Sequence, residues 1–338
     1  MRIDFRSDTF TKPDAGMLHA MMTTEVGDDV FSEDPTVNAL EAYGAALFGM
    51  EASIFCPSGT MTNQIAIQCH TQPGDEVICE KMSHVYIYEG GGIAKNAGSQ
   101  VAAIDGDHGK ITAEQITARI NPDDIHRART RLVSLENTCN RGGGSCYAWD
   151  QLEAIQQVCR THELSLHLDG ARLFNALVAT GQTALQYGRL FDSISICLSK
   201  GLGAPVGSLL VGSAEFIKKA RRVRKVMGGG MRQAGFLAAA GLYSLEHNID
   251  RLNEDHLHAQ QLQAMLATKE FVGVIMPVET NILIFEVKGS FSPLSFRDYL
   301  LPHGIYVMPI SPTQVRMVTH LDITPAMMVK TMEILAAM

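Results

Sequence analysis

At 338 residues the chain is longer than one small domain needs and suits a large domain that carries a smaller one. Its 46% hydrophobic content and 30 glycines fit an α/β enzyme with a sizeable core. A net charge of −8, from 36 acidic and 28 basic side chains, argues against a nucleic-acid partner.

Asp34 and Pro35 make a helix start, with Leu40, Tyr43, Ala46 and Leu47 as its apolar stripe. Strands are then predicted at 52–56, 76–79, 131–135, 164–168, 193–198 and 208–211, with helices at 60–69 and 149–161. Strand–helix alternation over about 200 residues means a mostly parallel sheet with helices on both faces. The pattern changes near Asn248. A long helix at 250–267, expected to continue across the boundary, leads to a strand at 281–287 and a helix at 293–301. Strands near 305–308 and 315–318 and a last helix follow. The expected division is therefore a large domain at 1–248 and a small α+β domain at 249–338.

The seven cysteines form no C-x-x-C pair and are odd in number, which points to a reducing compartment rather than a disulfide framework. Charges at Arg2, Asp4 and Arg6 occupy the place of a signal peptide's apolar core. No window approaches the ~18 apolar residues of a membrane span. The expectation is a cytoplasmic protein without a membrane partner. The basic run from Lys218 to Lys225 reads as a solvated helix face.

The chemistry concentrates at two strand ends. Lys200 stands where the strand at 193–198 runs out into glycine, and Leu198 and Leu202 can strip water from its ammonium. That favours the neutral amine a Schiff base needs. Asp169 ends the strand before it, with Arg172 just beyond. A carboxylate and a lysine so placed point to pyridoxal 5'-phosphate (PLP), the carboxylate keeping the pyridine nitrogen protonated and the amine carrying the cofactor. Cys56-Pro-Ser-Gly-Thr-Met-Thr-Asn63 is a strand, a glycine turn and then a helix, where backbone amides and the Ser58 and Thr60 hydroxyls can hold a phosphate. Arg232, among glycines 228–230, is a second phosphate candidate. His84, after a short strand, can stack on a cofactor ring or act as a base, and Arg172 and Arg316 can bind an amino-acid carboxylate. His256 and His258 face different ways on a helix, no H-e-x-x-H pattern exists, and no metal site is expected.

Together these segments resemble the low-specificity L-threonine aldolases. The resemblance rests on Asp4-Phe-Arg-Ser-Asp-Thr9, Gly27-Asp-Asp-Val30, Asp34-Pro-Thr-Val-Asn-Ala-Leu40, Pro57-Ser-Gly-Thr60 and Ser134-Leu-Glu-Asn-Thr138. It continues through His167-Leu-Asp-Gly-Ala-Arg172, Leu198-Ser-Lys-Gly-Leu-Gly203, Gly228-Gly-Gly-Met-Arg-Gln233 and Arg316-Met-Val-Thr-His320, spanning nearly the whole chain. It implies the PLP-dependent transferase-like fold type I, with a mostly parallel seven-stranded sheet. It implies a carbon–carbon lyase giving glycine and an aldehyde from a β-hydroxy-α-amino acid.

By resemblance Lys200 is the cofactor lysine and Asp169 the pyridinium partner, with His84 the stacking base. Gly59, Thr60 and Arg232 are then phosphate ligands, and Ser7, Arg172 and Arg316 form the carboxylate clamp. His126, otherwise a loop histidine, is similar to one thought to face the β-hydroxyl. A homodimer or homotetramer with the site at the subunit boundary is also implied. Phe31 and Cys139 depart from the pattern, where relatives carry tyrosine and histidine. Alternatives are β-elimination or racemisation on the same scaffold, or PLP binding without turnover. A nucleotide-binding protein is disfavoured, because Gly201-Leu-Gly203 lacks the third glycine of that motif.

Overall fold

The computed structural model describes all 338 residues. A short strand, β1 (Ile3–Asp4), opens the chain, and β2 (Ala52–Cys56), β3 (Glu76–Glu80), β4 (Gln100–Ile104) and β5 (Thr130–Glu136) follow. Then come β6 (Ser165–Gly170), β7 (Ser193–Cys197) and β8 (Ser208–Gly212). Strands β2 to β8 form one seven-stranded sheet in the order β2-β8-β7-β6-β5-β3-β4. Only β8 runs antiparallel to its neighbours; the other pairings are parallel. Every residue of β3, β7 and β8 is buried, as expected of strands covered on both faces.

Because β8 is antiparallel to both β2 and β7, the carboxyl ends of β2, β5, β6 and β7 share one edge of the sheet. Ligands of open α/β sheets bind outside that edge. Glu136 ends β5, Asp169 lies at the end of β6, and Lys200 follows β7 within three residues. The helix Gly59–His70 starts at the same edge after β2, capped by Ser58, whose Oγ accepts from the Met61 N–H at 3.2 Å.

The tail adds β9 (Val272–Ile275), β10 (Ile282–Val287), β11 (Ile305–Tyr306), β12 (Met308–Pro309) and β13 (Gln314–Val318). Four of these make an antiparallel sheet in the order β12-β13-β10-β9, while β11 pairs in parallel with β1. Ile3 and Phe5 are fully buried in an apolar cluster with Leu283, Phe285 and Phe296. The first residues, assigned by sequence to the large unit, thus pack with the tail.

Two further differences have physical causes. Strand β4 is Gln-Val-Ala-Ala-Ile, whose alanines carry little strand preference, and β9 holds a glycine and is half exposed. The helix expected to run unbroken past Asn248 is two helices, Gly235–His247 and Leu252–Leu266. Asn248, buried between them, donates its side-chain N–H to the Leu202 carbonyl at 2.8 Å and pins the break to the lysine loop.

Helix Gly59–His70 meets β7 so closely that a Cβ on Gly59 would lie 2.5 Å from the Cys197 Sγ. We expect Gly59→Ala to destabilise the fold by about 1–3 kcal/mol through overpacking, seen as a lower urea midpoint.

Candidate active site

A cavity of about 430 Å³ opens at the carboxyl edge of the sheet. Ser7, His84, Tyr88, Arg172, Lys200 and Arg316 line it, with Asn140 and Arg141. Lys200 is half-buried, and its neighbours Leu198 and Leu202 are buried as expected. Its backbone carbonyl accepts from Thr11 Oγ1 at 2.8 Å and from the Gly203 N–H at 2.9 Å, so the turn that carries the amine is fixed from two sides.

Asp169 is buried at the end of β6. Its Oδ2 accepts from Asn63 Nδ2 at 2.9 Å and its Oδ1 from the Ala171 N–H at 3.1 Å. Carboxylate oxygens of Asp169 and Glu89 and a ring nitrogen of His84 all lie within 4.8 Å of one another. His84 Nδ1 is 2.9 Å from Glu89 Oε1, and its backbone N–H donates to Glu136 Oε2 at 2.8 Å. Burial disfavours the imidazolium. The hydrogen bond to Glu89 and the Asp169 charge outweigh it, and the ring's pKa is raised above its usual 6.5. Burial, then the Asp169 charge, push the Glu136 carboxyl up to about 7 against two backbone N–H donors, from Asn140 and His84.

Arg172 and Arg316, both expected to clamp the substrate, differ in what is left free. Arg172 donates from Nε and Nη2 to the two Asp8 oxygens, at 2.7 Å each, and both side chains are buried. Most of its fork is therefore committed to holding Asp8. Arg316 donates from Nη1 to Asn140 Oδ1 at 2.8 Å and from Nη2 to the Arg6 carbonyl at 3.0 Å, while its buried Nε has no partner. Burial, then the nearby Arg172 charge, lower its pKa to about 10. Such a group gains most from an anion arriving in the cavity. Ser7, buried on the cavity wall, caps the turn that carries Asp8 by accepting from the Thr9 N–H at 3.2 Å.

Three sequence expectations meet a different setting. His126 lies on an exposed turn with its side chain 83% exposed and Nδ1 2.8 Å from Asp124, outside the cavity. Its neighbours Pro122, Asp123, Asp124 and Ile125 are exposed as well, so nothing in this loop is drawn inward. Arg232 is also outside that cavity. Its side chain is 56% exposed and pairs with Asp28 at 2.9 Å. Ser58 and Thr60 stand exposed at the helix start.

Residues the sequence did not single out complete the site: Asn63, Glu89, Glu136 and Asp8. Asp8 and Glu136 sit inside segments that carried the resemblance. Asn63 and Glu89 had no such signal, because a polar residue within a helix or before a glycine run reads as surface.

The architecture is that of PLP-dependent fold type I proteins. The chain superposes on a threonine aldolase from Leishmania major with a TM-score of 0.87 and 23% identity over 99% of both chains. On the PLP-containing chain SPT it gives a TM-score of 0.78 and 17% identity, covering 99% of this chain and 87% of that one. Residues 4–290 match the beta-eliminating lyase family. The low specificity L-threonine aldolase of Escherichia coli (strain K12) is 46% identical over 323 residues, which is 95% of each chain. The chain belongs to the beta-eliminating lyase family, among its low-specificity L-threonine aldolases.

Asp8 is held well below the usual carboxylate range because the Arg172 charge and hydrogen bonds overcome its burial. A depressed carboxyl stabilises the fold above its unfolded-state value of about 4, and that contribution is lost as pH falls below it. We expect Asp8→Asn to cost about 3–5 kcal/mol at neutral pH by leaving Arg172 unpaired. The gap to wild type should shrink on acidification in urea titrations.

Proposed function

We propose that this chain is a PLP-dependent aldolase that cleaves L-threonine, L-allo-threonine and related β-hydroxy-α-amino acids to glycine and an aldehyde. The observation that carries this reading is one cavity joining a strand-end lysine, a carboxylate-backed histidine and an arginine whose Nε has no partner. These residues fit the cofactor. Lys200 offers an amine on a fixed turn, Asp169 a buried carboxylate, and helix Gly59–His70 an open amino-terminal turn.

When bound, PLP supplies the electron sink for the pair released as the Cα–Cβ bond breaks. Lys200 holds the cofactor through Nζ, and Asp169 keeps a proton on its ring nitrogen. The backbone amides at Gly59 and Thr60, with the Ser58 and Thr60 hydroxyls, receive the phosphate. Arg316 binds the substrate carboxylate beside Ser7 and orients Cα, while Arg172 braces this wall through Asp8. His84 takes the β-hydroxyl proton at Nε2, since Nδ1 is committed to Glu89. A base of this kind contributes typically 10²–10⁴-fold in rate.

We infer further that at least two copies assemble with the site at their boundary, Arg232 and the Ser58–Thr60 turn both lying open on a single protomer. Seven unpaired, buried thiols support a reducing, cytoplasmic setting.

Purified holoenzyme given L-threonine, L-allo-threonine and their D-isomers should release equimolar acetaldehyde and glycine from the L-isomers only. 2-Oxobutanoate in their place would establish elimination. Lys200→Ala should lose both the visible cofactor absorbance and nearly all turnover; a coloured, active variant overturns the assignment. His84 must be neutral to accept a proton, so kcat/KM should rise with pH through a midpoint above 6.5. Removing the Glu89 charge lowers the imidazole's pKa, so Glu89→Gln should move this acid limb to lower pH.

A further inference from the structure

Behind the cavity, side chains form a hydrogen-bonded series across the sheet, buried except for the half-buried His70 at its outer end. His70 Nε2 is 2.8 Å from Ser193 Oγ, which is 2.8 Å from His167 Nδ1. His167 Nε2 is 3.2 Å from Asn63 Oδ1. Asn63 Nδ2 then donates to Asp169 Oδ2 and to Glu89 Oε1, each at 2.9 Å.

The hydrogens in this series follow by elimination. Carboxylates accept, so Asn63 turns its NH₂ toward Asp169 and Glu89 and its oxygen toward His167. His167 must therefore donate from Nε2. Burial keeps this ring neutral by lowering its pKa to about 4. Nδ1 is then bare and accepts the Ser193 hydroxyl. That hydroxyl has one hydrogen, so its oxygen accepts from Nε2 of His70, whose pKa burial lowers to about 3. Every donor points the same way, toward the two carboxylates. An amide neither gains nor loses a proton near neutrality, so the series carries orientation and not protons.

We propose that His167 is a positioning residue whose Nε2–H fixes the Asn63 amide, so that one NH₂ group bridges Asp169 and Glu89. The bridge couples the carboxylate that serves the cofactor nitrogen to the carboxylate that orients His84. Ser193, with His70 behind it, sets the tautomer of His167. The inference rests on the site assignment given above.

The coupling has a predictable sign. Asn63 and His84 Nδ1 share the same oxygen, Glu89 Oε1. The charged or titratable groups facing His84 are Glu89, Asp169, Glu136, Lys200 and Tyr88, whose ring lies 5.7 Å from the imidazole. Without His167 the amide oxygen loses its donor, and the NH₂ group can settle on Asp169 alone, leaving Glu89 Oε1 one donor short. The negative potential at His84 then grows, and its titration midpoint rises.

The test is nitrogen-15 NMR of histidine-labelled holoenzyme, with signals assigned by His70→Gln and His167→Gln. In wild type, His167 is expected neutral with the proton on Nε2 across the neutral range. In His167→Phe the His84 midpoint should rise by about 1 unit, with the acid limb of kcat/KM following it. Ser193→Ala should shift it in the same direction by less. A His167 protonated on Nδ1 or on both nitrogens overturns the proposal. So does an unmoved His84 midpoint in a folded His167→Phe protein. Should that variant not fold, the wild-type tautomer and Ser193→Ala decide. Neither reading depends on which product forms, so the acetaldehyde assay judges the aldolase assignment separately.

Discussion

The ion pair between Asp8 and Arg172 is the interaction on which the site's shape depends. Arg172 belongs to the turn after β6, in the large sheet, while Asp8 belongs to the amino-terminal segment that packs with the tail. Asn281, just ahead of β10, donates to the same Asp8 carboxylate at 3.2 Å. Three distant stretches of chain thus meet at one buried carboxylate, in surroundings where a lost partner is costly. The cavity is the space left between them.

From this constraint the division of labour among the arginines follows. Two guanidiniums stand near one wall, and only one can be neutralised by Asp8. Arg172 takes it with a two-point fork, and Arg316 is left with neutral acceptors and an unpartnered Nε. The cavity therefore holds an uncompensated cation beside the lysine, which suits an amino-acid carboxylate. On the opposite side the balance reverses. Asp169, Glu89 and Glu136 gather around His84, and mutual repulsion together with burial keeps Glu136 near neutrality's edge.

The strands that carry Asp169 and Lys200 were legible because fully buried parallel strands are continuous apolar runs. Their polar ends mark where the chain leaves the core. The alanine-rich β4 and the glycine-bearing β9 carried no such run. Lys200, Asp169, His84 and Arg316 stood out as residue types that PLP chemistry needs, and the fold brings Lys200, His84 and Arg316 to one cavity with Asp169 beside His84. Their partners did not, since Asn63 and Glu89 matter only through contacts spanning 106 and 5 residues to Asp169 and His84. His126 and Arg232 show the converse: a residue given a role by resemblance can still face outward in the single chain.

The pairing of β1 with β11 joins Ile3 to Ile305. Residues 3–4 thus cannot settle until residues 305–306 have been made. Long-range closure of this kind is slow and keeps apolar segments exposed during synthesis. Arg316 arrives later still, on the strand whose Val318 N–H donates to the Phe5 carbonyl at 2.7 Å. A chain stopped short of that strand could complete the large sheet, with its lysine and aspartate in place, and still lack the cavity wall that holds Arg316. In synthesis the large sheet is therefore available before the wall of the cavity that Arg316 forms.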